Sequence, residues 1–239
     1  LLLAILPLIA FYLFCTSPLP EITMNQDTSA AAAKRKSKGL ILCMVCIFLG
    51  SAAENTMTNW ISVFMENALQ MPKMLGDIFG PVSFSLLLAL TRTLYAKYGK
   101  NIYNILLCSM ASASVCYMVA GISSNAVVAI IACMFTGVCT SMLWPGTLIL
   151  MEEKFPNPGI AAYALMAAGG DFGASVAPQG LGIVVDKVAA SGWANQLGEQ
   201  LSLSTEQIGI KVGMFAAAMI PILGIIVLLY IKKFFSKTA

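Results

Sequence analysis

Neither residues 101–121 nor residues 126–150 contain a single charged side chain. Runs of that length are what the hydrocarbon core of a bilayer demands. The core is about 30 Å thick, and a helix rising about 1.5 Å per residue crosses it with roughly 20 apolar positions. Five further apolar runs occupy 1–15, 39–66, 76–96, 159–185 and 208–231. The pattern predicts an all-α, polytopic membrane protein with seven helices, the first of them incomplete. The chain opens Leu1-Leu-Leu-Ala-Ile-Leu, with neither a basic start nor a small-residue cleavage site. It therefore reads as a fragment that begins inside its first helix.

Of the 239 residues 59% are hydrophobic and 10% charged, which excludes a soluble enzyme, since soluble domains carry about 25% charged residues. The chain has no histidine, so no His-based triad, metal site or proton relay can form. No phosphate loop, zinc signature or nucleophile elbow occurs, and no cofactor or metal is expected. Cys43 and Cys46 have C-x-x-C spacing, but in an apolar helix without a second pair they read as small apolar filler.

Basic residues set the expected orientation, because cytoplasmic loops are enriched in Lys and Arg. The linker 16–38 ends Lys34-Arg35-Lys36-Ser37-Lys38, Arg92, Lys97 and Lys100 flank the next turn on that side, Lys154 follows, and Lys232, Lys233 and Lys237 close the chain. Only Lys73, Lys187 and Lys211 fall on the other side. The split places Leu1 outside the cell and the C-terminus in the cytoplasm. The linker suits anionic lipid headgroups better than nucleic acid, being short and tethered to the membrane. Arg92 reads as an anchor whose side chain snorkels toward the interface. A seven-helix receptor shares this topology. A retinal protein would need a lysine deep in its last helix, and Lys211 sits at the edge of that helix.

Ionisable groups inside a span are costly and usually face a cavity or a partner. Two stand out. Glu54 lies on one helix face with Ser51, Asn55, Thr58 and Ser62, a polar stripe about three turns long. Such a stripe lines water or solute, or forms a hydrogen-bonded seam between helices. Asn59 borders it. Trp60 falls about 180° from Ser51 and would join the cavity only if the helix bends. Asp171 sits in Gly169-Gly-Asp171-Phe-Gly173, on a face of small residues, with Pro178 beyond it. Trp144 precedes Pro145, whose missing N–H should disturb the preceding turn. Beside that break the indole could stack on a ligand.

These features resemble the C-terminal half of a major facilitator superfamily transporter. The order of 1–15 as the end of the first half, 16–38 as a cytoplasmic linker and 39–239 as a six-helix bundle matches that family. The turn Arg92-Thr-Leu-Tyr-Ala-Lys97-Tyr-Gly99-Lys100 resembles its basic loop motif, with Arg92 where glycine is usual and Ala96 where aspartate is usual. Glu54 with Trp60 and Phe64, Ser141-Met-Leu-Trp144-Pro145, and Gly169-Gly-Asp171-x-Gly173 followed by Pro178 are similar to the fucose-permease-like branch. The resemblance implies a sugar:proton symporter of the cell membrane, and three spans, a short connection and three more predict that the six-helix bundle is two inverted three-helix repeats, 39–121 and 126–231. It implies a solute site including Glu54, Asn55, Thr58, Asn59, Trp60, Trp144 and Asp171. The partners it implies are the solute, a proton, the lipid bilayer and the missing N-terminal half. A drug or metabolite exporter of the same superfamily is the alternative, and a non-transporting receptor or scaffold a more distant one.

Overall fold

A computed structural model of the chain describes residues 2–17, 30–155 and 158–236. The chain divides into two units, Leu1–Ala30 and Ala31–Ala239. The first holds α1 (Leu2–Thr16), whose 15 residues are too few to cross a bilayer core. Within it the Thr16 hydroxyl donates to the Tyr12 carbonyl at 2.9 Å.

The regular structure of the second unit is all helix among its described residues. Helix α2 (Ala30–Val63) runs on as a π-helical segment, Phe64–Ala68, and is followed by α3 (Lys73–Tyr98), α4 (Ile102–Ile122) and α5 (Ala126–Thr140). Next come α6 (Leu143–Lys154), α7 (Ile160–Ala189), α8 (Gly192–Leu201), α9 (Thr205–Ala217) and α10 (Met219–Ser236). Among the described residues six stretches are long and apolar enough to cross a membrane: Ser37–Ala68, Lys73–Tyr98, Ile102–Ile122, Ala126–Lys154, Ile160–Ala189 and Thr205–Ser236. They fall on the six apolar runs after residue 38. The chain is an all-α polytopic membrane protein.

Several boundaries follow from local chemistry. The last span starts at Thr205 because Ser204 and Gln207 form a capping box. The Ser204 hydroxyl accepts from the Gln207 amide at 3.1 Å, and the Gln207 side chain accepts from the Ser204 amide at 2.8 Å. Helix α2 begins at Ala30, inside the segment read as linker, so Lys34, Arg35, Lys36 and Lys38 lie on its first turns. Residues 18–29, and Lys237 at the other end, lie outside the described residues. Helix α8 occupies the 186–207 connection, where hydropathy alone signals no span. It is a short amphipathic helix that buries Ala194 and Gly198 and exposes Trp193.

Small residues let the spans approach backbone to backbone. A side chain at Gly137 of α5 would meet the Phe84 carbonyl of α3, and one at Gly173 of α7 would meet the Phe48 carbonyl of α2. Tyr117, fully buried on α4, donates to the Ala53 carbonyl of α2 at 2.7 Å. Burial is uneven. The apolar stretches of α3 and α7 are 17% and 22% buried, against 39% for the next lowest span. These two helices carry the open faces of the bundle, and the polar stripe of α2 lies between their contacts.

Candidate functional site

The centre of the site is an ion pair near mid-membrane. Arg92 reaches from α3, and its Nη2 donates to both Glu54 oxygens, each at 3.1 Å. Its Nε donates to the Ser141 carbonyl at 2.8 Å. Glu54 and Ser141 each lie close to the middle of their own spans, Ser37–Ala68 and Ala126–Lys154. The Glu54 side chain is 17% exposed and that of Arg92 40%, so the pair is open on the arginine side. It is the one salt bridge among the described residues.

Pro145 explains why a carbonyl is available there. In a continuous helix the N–H of residue 145 would bond the carbonyl of Ser141, but proline has no N–H. The span breaks between α5 and α6, at Ser141 and Met142, and the helix resumes with the Gly146 amide bonding Met142 at 2.8 Å. The guanidinium of Arg92 supplies the missing donor. Arg92 is thus no snorkelling anchor. Its side chain turns inward because a carboxylate and an orphan carbonyl together offer three acceptors that the bilayer does not. Replacing Pro145 by alanine returns a competing N–H. Amide exchange across 142–147 is then expected to slow by about fivefold, the equivalent of one hydrogen bond of about 1 kcal/mol. Unchanged exchange would mean that proline does not set the break.

The stripe on α2 adds neutral polar groups. The side-chain amide of Asn55 donates to the Ser51 carbonyl at 3.0 Å, the Thr58 hydroxyl to the Glu54 carbonyl at 2.9 Å, and the Asn59 amide to the Asn55 carbonyl at 2.8 Å. Each donor is satisfied within the helix, and the Oδ1 atoms of Asn55 and Asn59 accept no bond among the described residues. Thr58 and Asn59 are exposed and Asn55 is half-buried. Farther along the face, the Ser62 hydroxyl donates to Asp77 of α3.

The two tryptophans are held in packing. The Trp60 indole N–H donates to the Pro178 carbonyl of α7 at 3.1 Å, and its ring packs on the core around Ile61 and Met57. Trp144 lies against Gly170 of α7 and packs with Ile47, Met151 and Met166. The Trp60 indole is thus directed at α7 rather than at the polar stripe. Trp60→Phe is expected to lower stability by about 1 kcal/mol through loss of the bond to Pro178, read as a fall in detergent melting temperature. An unchanged melting temperature would show that the bond carries nothing.

Asp171 is exposed on α7, and its carboxylate has no partner among the described residues. No hydrogen bond or ion pair links it to Glu54. The structure therefore joins Glu54 with Asn55, Thr58 and Asn59 on one helix face, and it adds Arg92 and Ser141. Trp60 and Trp144 belong to the α2–α7 and α6–α7 contacts, and Asp171 stands apart from both groups. Sequence reasoning did not place Arg92 in the site, although two signals bear on it. It is the one charged residue in the long apolar stretch between Asp77 and Lys97, and a proline follows Ser141 at the spacing that frees its carbonyl.

The sequence profile of the Major Facilitator Superfamily matches residues 1–178. The chain belongs to that superfamily, whose members are secondary transporters rather than enzymes. Comparison with curated proteins and with solved structures gives no match.

Proposed function

We propose that the chain is one six-helix half of a transporter for a small uncharged polar solute, most readily a sugar, moved by alternating access with proton symport. The observation that carries this reading is the balance of the mid-membrane site. Glu54 and Arg92 neutralise each other, so within this pair neither a net anion nor a net cation finds a free counter-charge. What stays available is hydrogen-bonding capacity. The Asn55 and Asn59 oxygens accept, and the Arg92 Nη1 group, unpaired among the described residues, donates. A polyhydroxylated solute offers both partners at short spacing. The exporter alternative favours an aromatic-lined cavity, and the tryptophans it would use are engaged between helices.

In this reading Glu54 acts through Arg92 rather than as a bare acceptor for solute hydroxyls. The second six-helix half covers α3 and α7, the two least buried spans. The basic ends of the helices face the cytoplasm across the cell membrane. Proton coupling belongs to carboxylates of the other half. The test is uptake into vesicles containing the complete transporter under an imposed pH gradient, with neutral sugars, organic anions and organic cations compared. Accumulation of a neutral sugar that collapses with a protonophore is expected. Selective movement of a cation or an anion would overturn the reading.

A further inference from the structure

Helices α3 and α4 are joined by the short turn around Gly99, Lys100 and Asn101 but do not pack along each other; α5 packs against both. The wedge leaves an open groove of 460 Å³, with Tyr95, Tyr98, Asn104, Cys108, Phe135 and Met142 among its walls. Its volume lies within the range of about 300–1,000 Å³ typical of small-molecule sites. The exposed lining is mostly apolar and lies on three membrane-spanning helices, which suits an acyl chain. One end is different. Tyr98, Gly99 and Asn104 border the helix ends, where Lys97 places its ammonium 5.2 Å from the Tyr98 ring centre and Lys100 is exposed. Glu153, near Tyr95, is the opposing charge, and the mouth stays net positive.

We propose that this groove is a binding site for an anionic phospholipid, with one acyl chain along Phe135 and Cys108 and the phosphate at Lys97 and Lys100. An apolar trough ending in exposed ammonium groups at the membrane surface matches the two ends of such a lipid and no water-soluble ligand. The groove's inner end reaches Ser141, whose carbonyl accepts from Arg92, while the lysines lie at its other end, and the proposal holds whatever the transported solute is.

The test uses phosphatidylglycerol and phosphatidylcholine, each with a photoactivatable diazirine at the middle of one acyl chain, in vesicles containing the complete transporter. Adducts are mapped by peptide mass spectrometry. The phosphatidylglycerol probe is expected to concentrate on peptides holding Cys108 and Phe135. In the Lys97→Gln, Lys100→Gln variant that enrichment is expected to fall by about tenfold relative to adducts elsewhere on the same chain. Referring each signal to the rest of the perimeter separates loss of the site from loss of folded protein. Equal labelling by both probes, labelling spread evenly around the helices, or a groove left unlabelled because protein covers it would each overturn the proposal.

Discussion

Replacing Arg92 by alanine is expected to abolish transport and to destabilise the bundle by about 2–3 kcal/mol. Removing one partner of a buried pair typically costs about 3–5 kcal/mol, because the other charge is left without compensation. The lower figure applies here because the Arg92 side chain is 40% exposed and the pair is partly hydrated. Two acceptors lose their donor together: the Glu54 carboxylate and the Ser141 carbonyl freed by Pro145. The carboxylate dominates. Glu54→Gln with Arg92→Gln should therefore be more stable than Arg92→Gln alone, because the double variant leaves no unpaired charge at mid-membrane. A double-mutant cycle on detergent melting temperatures reads this coupling directly. Additive losses would mean that the two residues act independently and that the pair holds nothing together.

The second large effect is expected at Gly173. A leucine there would drive its Cβ into the Phe48 carbonyl and backbone of α2, and backbone cannot swing aside as a flexible side-chain tip can. Overpacking typically costs about 1–3 kcal/mol, and a clash with backbone belongs at or above the top of that range. Separation of α2 from α7 would also draw Trp60 away from Pro178 and Phe48 away from Phe172, whose ring centres are 5.8 Å apart. Gly180, on the same helix with open space around it, is the control: leucine there should leave the melting temperature nearly unchanged. Equal effects at the two positions would mean that α7 does not depend on close approach to α2.

The six spans were legible because each is a long apolar run, and composition settles such runs without knowledge of their neighbours. The start of α9 was legible too, since Ser204 and Gln207 carry their own signal. The amphipathic helix α8 was not, because its apolar content is low and its burial of Ala194 and Gly198 depends on packing against the adjoining helices α7 and α9. The onset of α2 at Ala30 was missed for a related reason. The Lys34–Lys38 cluster reads as polar linker, yet lysine and arginine are good helix formers. At the site, the stripe from Ser51 to Ser62 followed from helical spacing alone. Arg92 did not, because position on α3 says nothing about which way a long side chain turns. That direction is fixed by Glu54 on one helix and by a carbonyl that Pro145 exposes on another.

The central claim is that the α2 face beside the Arg92–Glu54 pair is where solute binds, and Thr58 is its most direct probe. Thr58 is exposed on that face, and its own hydrogen bond stays within the helix. In the complete transporter, Thr58→Cys should exchange a radiolabelled sugar across vesicle membranes. A bulky hydrophilic thiol reagent should then stop the exchange, and excess unlabelled sugar should slow the reaction. The parent protein, whose Cys15 and Cys108 are also exposed, should keep its exchange under the same treatment. Full exchange after complete modification of the cysteine placed at position 58 would contradict the account.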